Sequence, residues 1–340
     1  MNKKKNIMNL FFLVIIFGLT VYGVFAGEDI NEIIDTITKV NYFHLIIGVL
    51  CVIFFIWCES IIIYYMMGTL HIKSKKRTCF MYSCVGFFFS CITPSASGGQ
   101  PAQIYYMRKN KVPISISTLI LMVITLTYKS ILVFIGLFLV LFQHRFVVKY
   151  LMGILPVFYL GVGLNVICCI IMLLLIFYPT LTENIVLTCF KILVKLHIVK
   201  DTSKLKKRVL HSTEQYSATT DYLKQNKKVL FHVIIITFIQ RISLFFVTYF
   251  VYRSFGLTGI SCYDIVMLQA AISVAVDMLP LPGGMGISEK LFLTIFIPVF
   301  GTDLLLPGMV LSRGIAYYIQ LLLSAGGTVL AHFYIGKKPE

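Results

Sequence analysis

The chain has 340 residues, of which 58% are hydrophobic and only 13% are charged, and its mean hydropathy is +0.89. Soluble domains hold about 45–50% apolar and about 25% charged residues, so these values exclude an ordinary soluble protein. Apolar runs of roughly twenty residues recur along the chain, and each can cross a hydrocarbon core of about 30 Å. The sequence therefore predicts an all-α, polytopic integral membrane protein with about six to eight transmembrane helices. We expect residues 1–340 to form a single transmembrane domain.

The net charge of +16 does not indicate a nucleic-acid-binding protein. The basic residues lie between the apolar runs, where the positive-inside rule places them on the cytoplasmic side. The nine cysteines and seven histidines have neither disulfide nor metal-ligand spacing. We therefore expect no directly bound nucleic acid, no metal, no cofactor and no classical catalytic residue.

The first predicted helix covers about Ile7–Ala26. Val24-Phe25-Ala26 also resembles a signal-peptidase site, so a cleaved signal peptide remains an alternative. Both interpretations leave residue 28 outside the cell. A second helix, about Tyr42–Met67, then returns to a cytoplasmic basic segment, Lys73–Arg77.

A glycine- and proline-rich break follows, with the sequence ITPSASGGQPAQIYYMR from Ile92 to Arg108. The apolar segment before it, Phe80–Ile92, is too short to cross a membrane comfortably. Basic residues flank the segment on both sides, so it enters and leaves on the cytoplasmic face. We predict a first re-entrant hairpin over residues 80–108.

The next two predicted helices are about Ile114–Phe142 and Leu151–Tyr178. The outer loop predicted between them, QHRFVVK, is basic and so departs from the charge rule. Residues 179–228 carry many lysines and a run of apolar residues at helical spacing, which predicts a basic cytoplasmic or interfacial segment.

The second break, DMLPLPGGMGISEK from Asp277 to Lys290, follows a helix predicted at about Val229–Tyr252. We predict a second re-entrant hairpin over residues 264–300, opening outward. A last helix, Leu304–Ile335, then ends at a basic C-terminus that we expect in the cytoplasm. Because the first predicted helix leaves residue 28 outside the cell, we expect the N-terminus in the cytoplasm as well. Two hairpins of opposite orientation are typical of an inverted repeat in a transporter.

The two breaks supply the first candidate binding residues. Unwound backbone at membrane depth must be buried in protein or line a cavity, and matching breaks in two halves of a chain indicate a binding site. A structural kink satisfied by neighbouring helices is the alternative for either break alone. The helix after each turn also directs an electropositive N-terminus into the membrane, suited to a phosphate or carboxylate. The candidate residues are Ser95, Ser97, Gly98, Gly99, Gln100, Gln103, Pro282, Gly283, Gly284 and Gly286.

Charged residues inside apolar helices supply the second set, because each costs about 2.5–3.5 kcal/mol to insert. Lys129, Arg241 and Arg313 would contact a lipid phosphate, and Asp277 and Glu289 would contact a cationic head group. Salt bridges that only serve assembly, or snorkelling to an interface, are the alternatives for each residue.

Two motifs, TPSASGGQPAQIYY (Thr93–Tyr106) and LPLPGGMGISE (Leu279–Glu289), resemble the lysylphosphatidylglycerol synthase transmembrane family. This family is the flippase-like membrane half of the multiple peptide resistance factor. The resemblance implies a bacterial plasma-membrane protein that handles phospholipids. In bifunctional relatives a soluble domain transfers lysine from lysyl-tRNA to phosphatidylglycerol. The membrane half then moves the product to the outer leaflet, which reduces binding of cationic antimicrobial peptides.

The chain departs from that pattern in two ways. Only GKKPE follows the last helix, so we expect no aminoacyl-transferase domain here. Gln100 and Gln103 are neutral where the resemblance implies an acid, which leaves the lipid head group open. Our leading hypothesis is translocation of phosphatidylglycerol or its lysyl form between leaflets. Two alternatives stay open: a phosphatidylglycerol lysyltransferase with a separate catalytic subunit, and a non-transporting membrane partner. Assembly into a homo-oligomer stays open as well.

Overall fold

The computed structural model describes residues 35–178 and 226–335, with residues 184–185, 188, 217 and 220–221 between them. The predicted first helix and nearly all of the basic segment 179–228 lie outside the described residues. The helices, in chain order, are α1 (Tyr42–Thr69), α2 (Lys76–Ile92), α3 (Gly99–Lys109), α4 (Ile114–Phe142), α5 (His144–Phe146), α6 (Leu155–Phe177), α7 (Lys227–Ser254), α8 (Cys262–Val276), α9 (Ile287–Ile295), α10 (Ile297–Arg313) and α11 (Gln320–Tyr334).

The described part of the chain contains five helical segments that are long and apolar enough to cross a membrane. They are Tyr42–Thr69, Ile114–Phe142, His144–Ile176, Lys227–Ser254 and Ile297–Tyr334, and the shorter apolar α8 accompanies them. The expected all-α polytopic membrane architecture is therefore confirmed.

The loop predicted at residues 143–149 is wrong in extent, because only Gln143 is non-helical and the chain is helical again from His144. After α5 it continues as a π-helix, Val147–Leu151, and a 3₁₀ turn, Met152–Ile154, into α6. Phe146, Val147, Tyr150 and Leu151 are buried and share one helix face by their spacing. The basic residues of the segment are exposed on the other face, so their charge does not require a loop.

Local sequence explains where the helices next to the breaks end. Thr93 is extended, with ψ of 145°, as expected for a residue that precedes a proline, and α2 stops one residue before it. Before the second break, Ser261 caps the N-terminus of α8 by accepting a hydrogen bond from the amide of Asp264. Gly301, with φ of 70° and ψ of 179°, interrupts the helical conformation inside α10.

The described part of the bundle has two large apolar cores and a small third cluster of Cys91, Met285 and Tyr317. A polar layer separates the two large cores. On α1 the buried apolar residues of one core end at Ile56 and those of the other begin at Ile62. Glu59 and Ser60 lie buried between them. The corresponding gaps on α4 and α7 hold the buried residues Thr127, Lys129, Thr237 and Gln240. Since α1 packs closely on α7, and α7 also contacts α4, the three helices bring these polar groups to one level near their midpoints.

Candidate functional site

The two breaks have the same backbone hydrogen-bond pattern. In each, two consecutive turn residues donate their amides to carbonyls three residues earlier, over 3.1–3.2 Å. The donor–acceptor pairs are Ala96–Thr93 and Ser97–Pro94 in the first break, and Gly284–Leu281 and Met285–Pro282 in the second.

Backbone torsion angles extend the correspondence. Ser95 and Ala96 have φ of 50° and 54°, and Gly283 and Gly284 have φ of 56° and 66°. Glycine adopts positive φ without strain, whereas L-residues carry about 1–2 kcal/mol there. The first break therefore adopts, with two non-glycine residues, a turn that the second break makes with glycines.

The two breaks touch each other. Pro94 and Pro282 form an isolated antiparallel bridge, and the Ser95 hydroxyl donates to the Leu279 carbonyl over 3.2 Å. Tyr317, which follows α10, donates its hydroxyl to the Cys91 carbonyl over 2.9 Å. These contacts hold the turns together although they lie far apart in the sequence.

Two glycines allow close approaches between neighbouring elements. A Cβ atom on Gly99 would lie 2.1 Å from the Ser90 hydroxyl and 2.7 Å from the Gly86 carbonyl, so α3 folds back tightly on α2. A Cβ atom on Gly283 would lie 2.1 Å from the ring of Tyr317. Both positions therefore exclude larger side chains.

A cavity of about 440 Å³ lies between the breaks and the helices of the polar layer. Its volume is within the range of about 300–1,000 Å³ that is usual for ligand sites. The predicted residues that line it are Ser95, Ser97, Gln100, Gln103, Lys129, Arg241, Asp277, Gly283, Gly284 and Arg313. Gly98, Gly99, Pro282, Gly286 and Glu289 do not line it.

Two of the lining cations have acidic partners. Lys129 of α4 forms an ion pair with Asp277, and its Nζ also lies 2.8 Å from the Met278 sulfur. The Arg313 Nε donates to Glu289 over 2.8 Å, and a terminal nitrogen donates to the Gly283 carbonyl over 2.9 Å. The second break is thus attached to α4 on one side and to the end of α10 on the other.

Both carboxylate oxygens of Glu289 accept hydrogen bonds from other groups of the protein. Its Oε1 accepts from Arg313, and its Oε2 accepts from the Gly286 amide over 2.8 Å and the Ser288 hydroxyl over 2.9 Å. The residue is 3% exposed. Because this carboxylate caps the first turn of α9, the structure does not offer that helix N-terminus as a vacant anion site, contrary to the expectation from sequence.

Arg241 of α7 is the lining cation that lacks an ion pair among the described residues. Its guanidinium carbon lies 3.8 Å from the ring centroid of Tyr128 and 5.0 Å from that of Phe55. Its Nε is buried and has no hydrogen-bond partner in the described part of the chain. Stacking on aromatic rings is typical of arginine, and it leaves the donor edge of the guanidinium available to a ligand.

Sequence reasoning missed Glu59, which lines the same cavity on α1. The residue is 8% exposed and accepts a hydrogen bond from the Gln103 side chain over 3.0 Å. Glu59 is an acid inside a long apolar run, so the rule that selects Lys129 also selects it. Tyr128 and Tyr317 were also missed, and no sequence signal distinguishes them from the other aromatic residues of the helices.

The comparison with known families covers nearly the whole chain. A family profile described as "Lysylphosphatidylglycerol synthase TM region" matches residues 7–324. A search of curated proteins found no match.

Proposed function

Because the chain belongs to the lysylphosphatidylglycerol synthase transmembrane family, we propose that it moves a phospholipid between the two leaflets of a membrane. The polar head group would occupy the 440 Å³ cavity while the acyl chains stay in the bilayer. The observation that carries the proposal is this cavity, which lies between two touching helix breaks in a polar layer between two apolar cores. Polar groups at that depth are costly and are typical of substrate pathways.

The charges that line the cavity suit a phosphate. Lys129, Arg241 and Arg313 are cationic, while Glu59 and Asp277 are acidic. Lys129 and Arg313 already form ion pairs with acidic residues of the protein. Arg241 therefore serves as the principal phosphate ligand, because its planar guanidinium can donate two parallel hydrogen bonds to phosphate oxygens.

The acidic side of the cavity suits an amine. Glu59 accepts a hydrogen bond from Gln103 and interacts electrostatically with Arg241, but it forms no ion pair with a described residue. Its carboxylate can therefore pair with a cationic head group. The name of the family refers to lysylphosphatidylglycerol, whose lysyl group carries amines. We therefore propose phosphatidylglycerol or its lysyl form as the substrate, handled in a bacterial plasma membrane. Its delivery to the outer leaflet contributes to resistance against cationic antimicrobial peptides.

The test is leaflet exchange in liposomes that contain the purified chain. Fluorescent phosphatidylglycerol, or its lysyl form, is placed in both leaflets, and a membrane-impermeant quencher reports the rate at which inner-leaflet lipid reaches the outside. The protein should accelerate exchange, and Arg241→Gln should reduce that acceleration at least about tenfold, as loss of one charge-assisted contact implies. Arg145→Gln is the matched control, because Arg145 is exposed and does not line the cavity.

Two results would contradict the proposal. The first is exchange in protein-containing liposomes that is no faster than in empty ones. The second is an equal loss for Arg241→Gln and Arg145→Gln. Formation of lysylphosphatidylglycerol from lysyl-tRNA by the purified chain alone would instead support the alternative function, a phosphatidylglycerol lysyltransferase.

A further inference from the structure

A second and larger hollow, of about 1460 Å³, lies on the outside of the bundle between α1, α2 and α11. We call it the lateral groove. It shares no lining residue with the cavity between the breaks. On α1 the two are adjacent, because Glu59 lines the cavity while Ser60 lines the groove. The volume exceeds the range of about 300–1,000 Å³ that is usual for small-molecule pockets.

The groove is long and apolar over most of its length. On α1 its lining runs from Trp57 to Thr69, which at 1.5 Å per residue is about 18 Å along the helix axis. One leaflet of a hydrocarbon core is about 15 Å thick. Trp57, Tyr64 and Leu330 of the lining are exposed large apolar residues, so the groove offers a wall of one leaflet's depth to acyl chains.

One end of the groove is strongly basic. Lys73, Lys76 and Arg77, around the turn that joins α1 to α2, all line it and are exposed. None of the three forms an ion pair with a residue that the structure describes. Lys76 Nζ lies 5.8 Å from the ring centroid of Tyr64, which directs that charge towards the groove rather than away from the protein.

We propose that the lateral groove binds one anionic glycerophospholipid. The phosphate and head group contact Lys73, Lys76 and Arg77, and the acyl chains lie along α1 towards Trp57. Charge complementarity selects an anionic lipid, since three cations that pair with no described acid stand at one end of an apolar wall of leaflet length. This site is separate from the proposed head-group cavity and does not depend on translocation.

The test is native mass spectrometry of the full chain in detergent, titrated separately with dioleoylphosphatidylglycerol and dioleoylphosphatidylcholine. All variants are made in the Arg241→Gln background, so that lipid in the cavity does not dominate the signal. We expect preferential retention of phosphatidylglycerol. A triple variant, Lys73→Gln/Lys76→Gln/Arg77→Gln, should weaken that retention at least about tenfold, since each cation near a lipid surface contributes about 1 kcal/mol, and should leave phosphatidylcholine unchanged.

The matched control removes an equal charge elsewhere. Arg108→Gln/Lys109→Gln/Lys111→Gln neutralises the last two residues of α3 and a lysine just beyond it, none of which lines the groove. The control should retain phosphatidylglycerol as the parent does. An equal loss in both triple variants would show unspecific attraction to a basic surface and would overturn the proposal.

A second variant tests the acyl-chain wall without changing any charge. Gly68 lines the groove and is exposed, and a Cβ atom added to it would have no neighbouring atom within 4 Å. The side chain of Gly68→Leu therefore starts in open space at the groove wall and takes up part of the groove. We expect it to lower phosphatidylglycerol retention at least about threefold, the loss that less than 1 kcal/mol of contact produces. Gly163→Leu is the control, because Gly163 is equally open and lies outside the groove. Unchanged retention in Gly68→Leu would overturn the proposal.

Discussion

Pro94 and Pro282 face each other in an antiparallel bridge, one from each glycine- and proline-rich break. The two turns around them share their hydrogen bonds and their positive φ angles. Two turns that share these features and meet antiparallel are the arrangement that a two-fold axis between the hairpins would produce. We therefore propose that the halves of the chain are inverted repeats and that alternate opening on either side of this bridge exposes the cavity to each leaflet.

The correspondence between Ala96 and Gly284 predicts mutations of opposite effect. Both residues have positive φ, at 54° and 66°. Ala96→Gly should leave the free energy of unfolding unchanged or raise it by up to about 1 kcal/mol, because it relieves backbone strain. Gly284→Ala should lower it by about 1–2 kcal/mol, and its Cβ would also lie 3.2 Å from Val276. Unfolding in mixed detergent micelles measures both, and equal destabilisation by the two changes would contradict the shared turn.

Tyr317→Phe tests the contact that ties α2 to the second break. The change removes only the hydroxyl that donates to the Cys91 carbonyl, while the ring that packs against Gly283 remains. We expect a loss of about 1–3 kcal/mol, because a buried carbonyl is left without its partner. Tyr159→Phe is the control, since Tyr159 is 48% exposed. Equal melting temperatures for the protein and Tyr317→Phe would show that the hydroxyl contributes nothing to stability.

The breaks and the helices that flank them follow directly from composition. Pro94 stops α2, and the bounds of α1, α4, α6 and α7 agree with the expectation within a few residues. The last predicted helix, Leu304–Ile335, is wrong in extent, because the helical segment begins at Ile297 and a π-helix, Gly314–Ile319, separates α10 from α11. The pairing of Lys129 with Asp277 does not follow, because the packing of α4 against the second hairpin decides which acid each cation meets. The capping of α9 by Glu289 could have been predicted from the sequence, since an acid in the first turn of a helix commonly accepts a hydrogen bond from a backbone amide.

The ion pair of Lys129 with Asp277 should couple the stabilities of α4 and the second break. Both side chains are largely buried, at 9% and 14% exposed. Lys129→Met or Asp277→Asn alone leaves a buried charge without its partner and should lower the free energy of unfolding by about 3–5 kcal/mol. The double variant should recover a large part of that loss.

A double-mutant cycle in micelles measures this coupling. The surface pair Lys39 and Asp35, with side chains 71% and 62% exposed, provides the comparison and should show a coupling of about 0–1 kcal/mol. Additive losses for the buried pair would mean that the two charges do not stabilise each other.

Glu59→Gln should separate the two candidate lipid substrates. The change keeps an amide that can pair with Gln103 and removes the negative charge from the cavity wall. We expect exchange of lysylphosphatidylglycerol to fall at least about tenfold, because a desolvated charge pair with the lysyl amine is lost. Exchange of phosphatidylglycerol should stay the same or rise, since an acid near its phosphate has been removed.

Glu289→Gln is the matched control for this prediction, because it also neutralises a buried acid but one outside the cavity. Its oxygens hold Arg313, Ser288 and the first turn of α9, so we expect lower stability and an equal fractional change for both lipids. The ratio of the two exchange rates in liposomes is therefore the decisive measurement. A Glu59→Gln protein that keeps the parental ratio would remove the amine-binding role from that carboxylate, and the substrate would then be selected through the phosphate alone.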